Sequence, residues 1–415
     1  MMIKSVFSPL KFIDKATLLT IFVAALGYFV DIFDLILFGV VRVPSLKSIG
    51  VPDADILSTG FMLINLQMAG LLVGGFVWGV LGDKFGRLSV LLGSILLYSL
   101  ANLGNAFVDS VTTYGILRFV SGIGLAGELG LSITLISELL PISYRGLGAT
   151  FIGGIGMLGA IAAALIGDGF GWRMAYGIGG GMGFVLLLMR FGLKESQFFL
   201  ALCHEKNGIK RGHLFSLFSK PRLFIRYIAV ILIPLPLLIM IWVLVALTPE
   251  FARNFGVSAP LQAGTAILFC YIGLTIGDTL SGLLCQFLKS RRQTIAFFLF
   301  LLVLACCAHL IFRPATAALY YASCLFMGIG GGYWIIAIQF GAEQFGTNIR
   351  ATATTSVPTV ARALIIPATL GFKTLSPSFG MSSSWAIIMA LSVILSVLSL
   401  WSLKETFHNN LDYVE

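Results

Sequence analysis

Apolar residues run along this chain in long stretches broken by short polar gaps. They show neither the alternation of a half-buried strand nor the narrow stripe of a surface helix. The stretches lie near 16–40, 55–81, 88–107, 111–139, 146–167 and 173–192. After a polar, basic segment they resume near 224–248, 259–286, 294–312, 317–342, 352–374 and 384–402. Each is about long enough to carry a helix through ~30 Å of hydrocarbon, which takes about 20 residues. Backbone polar groups must be satisfied internally there, and runs of this length do so as helices. The pattern predicts twelve spans in an all-α polytopic membrane protein.

Composition removes the alternatives. Of 415 residues, 58% are hydrophobic and 11% charged, against roughly 25% charged in soluble domains. So little polar cover excludes a cytosolic enzyme, a secreted domain and a disordered tail. The net charge of +9 invites a nucleic-acid partner, but no basic stripe interleaved with aromatics exists, so none is expected. Most Lys and Arg instead occupy the gaps between apolar runs. With the N-terminus inside, nineteen fall in cytoplasmic segments, Arg190 among them, and six in outer segments, Arg42 among them. Both termini are thus expected in the cytoplasm, with the protein in an inner or plasma membrane. The run after Lys15 is too long for a signal h-region and carries two aspartates, so it is a first span. The six cysteines lack zinc-like spacing and are expected to be reduced packing residues; no metal or cofactor is expected.

The chain repeats itself. LKESQFF at Leu193 returns as LKETFHN at Leu403, and GIGLAGE at Gly122 as GIGGGYW at Gly328. Glu138 and Arg145, seven apart, return as Glu343 and Arg350. The expected organisation is a six-helix bundle over 1–193, a cytoplasmic linker over 194–223, and a second bundle with a short tail over 224–415. Six-helix halves duplicated in one orientation suit a transporter with a site between them.

Particular motifs carry a family resemblance. GVLGDKFGR, from Gly79 to Arg87, resembles the loop motif of the major facilitator superfamily, with Gly79, Asp83, Gly86 and Arg87 at its main positions. The second-half counterpart, Gly282 to Arg292, is degenerate. ISELLPISYRG resembles the loop after the fourth helix of sugar porters, organic-ion and metabolite:proton symporters. RFVSGIGLAGELG, from Arg118, resembles the metabolite:proton symporters, with Glu128 matching their glutamate. Asp31 and Asp34 in VDIFDLILFG resemble an acidic pair of metabolite:proton and aromatic-acid:proton symporters. The fifth span, FIGGIGMLGAIAAA, lacks the Gly-Pro motif of drug:proton antiporters. The resemblance implies the major facilitator fold and alternating-access, proton-coupled symport. Two GxGxxG matches, Gly122–Gly127 and Gly154–Gly159, lie inside spans. Glycine there lets helices approach rather than binding a dinucleotide.

Ionisable groups within spans are costly and usually functional. Asp34 and Arg118 lie at similar depths from the outer side and could pair; in the resembling symporters such a pair couples protonation to conformation. Asp31, three residues from Asp34, can share its face. Two roles fit Glu128: a second proton site, or a buried group bonded to neighbouring helices. Arg362 lies ten residues into the eleventh span, ~15 Å deep. Its guanidinium cannot deprotonate and suits a carboxylate fork, so it is expected either to bind an anionic substrate or to pair with Asp278. Gln67, Trp334 and Gln339 are weaker cavity candidates. Gly79, Asp83, Gly86, Arg87, Glu138, Arg145, Asp278, Glu343 and Arg350 are expected to form a cytoplasmic gate. The expected function is proton-coupled uptake of a small organic anion by a monomer in the bilayer, driven by the proton gradient. Export of a carboxylate-rich compound such as a metal chelate is the alternative. An intramembrane enzyme is excluded by the single histidine within a span, His309.

Overall fold

The computed structural model describes residues 15–128, 130, 132, 142–191, 221–257, 260–345 and 347–407. Among them are sixteen α-helices, one π-helical segment and no strand. The first half holds α1 (Lys15–Ser48), α2 (Ile56–Phe85), α3 (Arg87–Asn105), α4 (Val111–Leu125), α5 (Ile142–Phe170) and α6 (Trp172–Arg190). The second opens with α7 (Pro221–Leu232), α8 (Leu235–Ile239), the π segment Met240–Val245 and α9 (Thr248–Asn254). It continues with α10 (Ala263–Leu288), α11 (Arg291–Phe312), α12 (Ala317–Gly331), α13 (Trp334–Glu343), α14 (Thr347–Ala363), α15 (Ile365–Phe379) and α16 (Met381–Ser402). Among the described residues, eleven helical stretches are long and apolar enough to cross a membrane. The one expected span not among these, the fourth, over 111–139, is described as helix over Val111–Leu125, and residues 133–141 at its far end lie outside the described residues. Of the expected linker over 194–223, residues 194–220 likewise lie outside the described residues, and 221–223 are not linker but the first turn of α7.

Local chemistry sets the ends. Ser110 and Ser290 accept from Thr113 and Gln293 N–H groups at the starts of α4 and α11, each satisfying one orphan donor of a helix terminus. Gly86, at φ 101°, turns the chain from α2 into α3; a side chain would be strained there. Proline and glycine divide spans that the sequence pattern presents as single. Pro234 cannot donate to the turn before it, and α7 stops at Leu232. The tenth span breaks at Gly332–Tyr333 and the eleventh at Leu364, three residues before Pro367. Conversely, α1 runs past its expected end at 40 to Ser48, through Pro44. Arg42 does not end it, because that side chain is buried against Glu250.

Glycine sets the closest packing. A Cβ at Gly122 of α4 would overlap the Gln67 backbone of α2, and one at Gly328 of α12 would overlap the Cys270 backbone of α10. The second and fourth helices of each half therefore meet through the same device. Gly159 of α5 likewise rests on the Phe29 carbonyl of α1. Between halves, α2 packs along α14 and α5 along α10. Large apolar residues such as Phe287, Phe300, Ile311 and Leu398 stay exposed around the outside, the belt expected of a lipid-facing surface. Cys270, Cys285, Cys306 and Cys324 are buried, Cys307 is exposed, and all five are free.

Candidate functional site

Three helices from both halves meet at the centre of the molecule. Tyr28 and Asp31, three apart, occupy one face of α1. Opposite them stand Trp334, the first residue of α13 after the Gly332–Tyr333 break, and Arg362 near the end of α14. The Trp334 indole N–H donates to the Tyr28 hydroxyl at 3.0 Å. Arg362 Nη1 lies 3.8 Å from Asp31 Oδ2, an ion pair longer than a hydrogen bond, and its Cζ sits 5.4 Å over the Trp334 ring. Asp31 is wholly buried and Arg362 is 3% exposed. Among the described residues Arg362 donates no hydrogen bond, and neither Asp31 oxygen accepts one. A cavity of about 30 Å³ touches Tyr28, Trp242, Tyr271, Trp334 and Arg362. That is room for about one water, so the centre is closed down around these side chains.

The pairings differ from those expected. Arg118 does not pair with Asp34: it donates to Gln67 Oε1 and, at 3.4 Å, to the Tyr176 hydroxyl, and it lies 4.7 Å over the Phe38 ring. The close α2–α4 approach through Gly122 brings Gln67 to it, so Gln67 serves Arg118 rather than the cavity. Asp34 packs instead against Gly179 of α6 with no ion pair among the described residues. Arg362 takes Asp31, not Asp278, as its counter-charge. Asp278 is not at a cytoplasmic gate; it is buried mid-helix in α10, facing the backbone N–H groups of Trp334 and Ile335 where the tenth span restarts. Gly332 lets α12 press against it.

Glu128 and Arg190 form a buried bidentate pair, at 3.0 and 2.8 Å. Arg190, assigned from sequence to a loop, is 2% exposed and Glu128 fully buried. Their carboxylate and guanidinium lie against Gly27, where a Cβ would collide with both. Burial of a charge at the end of a span is invisible to a count of basic residues per loop.

At the end carrying residues 289–292, Glu343 bonds Arg291 at 3.1 Å and Thr406 Oγ1 at 2.6 Å, and no pair with Arg350 is described. Gln339 Nε2 donates to the same Glu343 at 3.2 Å, which sets Gln339 in this cluster and not in the central cavity. Glu405, from the repeated LKE motif, accepts from Ser290 Oγ at 2.5 Å and from the Arg291 and Arg292 N–H groups at the start of α11. Burial pushes its carboxyl up, but these hydrogen bonds outweigh burial and hold it below the usual carboxylate range. Gly79 is buried with no described atom within 4 Å of a Cβ placed on it. Glu138 lies outside the described residues, as do the side chains of Asp83, Arg87, Arg145 and Arg350.

The buried pair of Arg362 and Asp31 thus joins a helix of the second half to one of the first. The sequence profile of the Major Facilitator Superfamily matches residues 24–369. The chain belongs to this superfamily. A cis,cis-muconate transport protein of Acinetobacter baylyi is 26% identical over 381 residues, 83% of this chain and 85% of the relative. The niacin transporter NiaP of the same species is 32% identical over 164 residues, 39% of this chain. The aligned part spans only 36% of that relative's length. Among solved structures, the proton:xylose symporter XylE bound to 6-bromo-6-deoxy-D-glucose superposes with a TM-score of 0.72 at 18% identity. That match covers 96% of this chain and 98% of that one. The fold is therefore the all-α polytopic one of this superfamily, a fold of membrane transporters.

Proposed function

We propose that this protein is a proton-coupled transporter that takes up a small organic anion by alternating access between its two bundles, residues 1–193 and 224–415. The observation that supports it is the pairing of Arg362 with Asp31 across the halves. Arg362 is permanently charged, deeply buried, and held by one long contact in place of hydrogen bonds. A guanidinium in that state has donors to offer a carboxylate, and Asp31 is a group that a proton can neutralise.

The coupling follows from one cation with two competing partners. In the charged state Asp31 occupies Arg362. A proton arriving at Asp31 removes the competing charge and frees the fork for the substrate carboxylate. The halves then exchange access, and the substrate leaves with the proton, after which Asp31 recaptures Arg362. Neither anion nor proton is favoured to cross alone, because each alone leaves an uncompensated charge at the centre, which is costly. Trp334 supplies an aromatic wall that keeps the guanidinium planar to its ligand, and its bond to Tyr28 links the halves in the closed form. Asp34, one turn further along α1, is a second protonatable group beside this pair. The relatives named above carry an aromatic acid and a dicarboxylate, which fits an anion as substrate. The bias of Lys and Arg supports an orientation with residues 289–292 and the termini on the cytoplasmic side of an inner or plasma membrane.

The test is uptake into proteoliposomes of radiolabelled nicotinate, benzoate and muconate under an inward proton gradient. Wild type should accumulate at least one. Asp31→Asn should exchange substrate across the membrane without accumulating it, and Arg362→Gln should bind none. Gradient-driven accumulation by Asp31→Asn at the wild-type level would overturn the coupling scheme.

A further inference from the structure

The end opposite Glu343 and Glu405 is closed by a second ion pair between the halves. Arg42 Nη2 of α1 donates to Glu250 Oε1 of α9 at 2.7 Å. Arg42 is 1% exposed and Glu250 18%. The fork is only half used: Arg42 Nε and Nη1 and Glu250 Oε2 have no hydrogen-bond partner. Space is made for this arginine, since a Cβ at Gly60 of α2 would run into its Cδ at 2.6 Å. Above the pair opens a vestibule of about 470 Å³, lined by Glu250, Lys47, Asp53, Asp168 and Arg253. That is the size of a small-metabolite pocket. Lys47 is already paired with Asp53, and Asp168 rests on Gly264 in the first turn of α10. Arg253 has no ion pair among the described residues. Below the pair, two turns along α1 or ~10 Å away, Leu35 lines the central cavity. Arg42 and Glu250 thus stand between a roomy vestibule and the closed centre.

We propose that Arg42 is a carboxylate-docking site at the outer mouth, filled in this closed form by Glu250 of the opposite half, and that an incoming organic carboxylate opens the mouth by displacing Glu250. The proposal rests on the reading of the substrate as an anion. Glu250 holds Nη2 through one oxygen only; a carboxylate that displaces it can take Nη2 together with the unsatisfied Nε, side-on, or with the unsatisfied Nη1, end-on, and bidentate geometry is the stronger. Displacement removes the one ion pair described between α1 and α9, so recognition and opening are a single event. A neutral solute of the same size cannot drive it, which makes the mouth a charge filter ahead of Arg362.

The experiment places a single cysteine at Ile241, on the central cavity, in a variant whose native cysteines are replaced. Its labelling by a membrane-impermeant thiol reagent from outside is followed with and without benzoate. Benzoate should speed labelling of this parent and benzamide should not. Glu250→Gln should raise the basal rate about tenfold, the change that ~1.4 kcal/mol of lost closing energy produces, and should blunt the benzoate effect. Arg42→Gln should open the mouth similarly and abolish the response. The charge-swapped Arg42→Glu with Glu250→Arg should close it again, which separates loss of the pair from misfolding. Unchanged labelling in both single variants overturns the gate, and a benzoate response that survives Arg42→Gln overturns the docking site. Arg362→Gln distinguishes this proposal from the transport scheme. It should lose tight benzoate binding yet keep benzoate-promoted labelling, so failure at Arg362 leaves the docking test intact.

Discussion

Replacing Glu128 by glutamine separates a structural ion pair from a proton site. Glu128 and Arg190 are joined by two hydrogen bonds, at 3.0 and 2.8 Å, and both are sealed from solvent. Glutamine keeps the shape and one acceptor, but leaves the Arg190 charge uncompensated. Breaking a buried pair from one side costs about 3–5 kcal/mol. With an unfolding entropy near 2.1 cal/mol/K per residue, a chain of this size would lose roughly 3–6 °C of melting temperature. Thermal unfolding of detergent-purified protein, followed by tryptophan fluorescence, reads that shift directly. Arg190→Met on top of Glu128→Gln removes the stranded charge and fills its volume with apolar atoms, so most of the loss should return. Gradient-driven uptake should persist in the double variant, because neither group is then needed to carry charge. A single variant that melts like wild type but no longer couples uptake to the gradient would refute the reasoning and make Glu128 a proton carrier. A double variant as unstable as the single would refute the arithmetic.

Gly159→Val should be poorly tolerated, with a loss of about 1–3 kcal/mol from overpacking, since Gly159 lies on the Phe29 carbonyl; Gly177→Val in α6, where a Cβ meets open space, is the control, and equal melting temperatures would contradict the packing account. Trp334→Phe keeps the ring over Arg362 but removes the donor to Tyr28. It should cost about 0.5–1.5 kcal/mol and raise the turnover of substrate exchange by weakening the closed form, while an unchanged exchange rate would argue that this bond does not hold the halves. Glu405, with its carboxyl held below the ordinary glutamate value of 4.5, stabilises the fold fully above that value, and the contribution is lost as pH falls through the lower folded-state value. Melting curves at descending pH should therefore show a loss below about pH 4.5 that is smaller in Glu405→Gln, and an identical profile in the variant would count against it.

The sequence by itself determined the class and the stretches that can cross a membrane. Hydrocarbon imposes a length and a polarity on every segment that crosses it, and both are local properties written in consecutive residues. The intramembrane charges Asp31, Asp34, Arg118, Glu128, Asp278 and Arg362 were legible for the same reason: in an apolar run any ionisable residue stands out. Glycine motifs were legible as packing devices, because dinucleotide binding needs a strand that these runs do not contain. Which charge meets which was not legible. Depth along a span is countable at ~1.5 Å per residue, but azimuth and neighbour are not, so Asp34 and Arg118, counted to a similar depth, do not pair: Arg118 donates to Gln67 and Tyr176, and Asp34 packs against Gly179. Arg362 pairs with Asp31, more than three hundred residues away, because α1 and α14 converge at the centre. Arg42 and Arg190 count as topology signals in the sequence and as buried ion pairs in the fold. A basic residue at the edge of an apolar run can face solvent, or turn inward to an acid from another helix, and only the tertiary packing supplies that acid. The breaks after Gly331 and Ala363 belong to the same category. Glycine and proline permit an interruption, and the helices crowding Asp278 and Arg362 decide that it happens there.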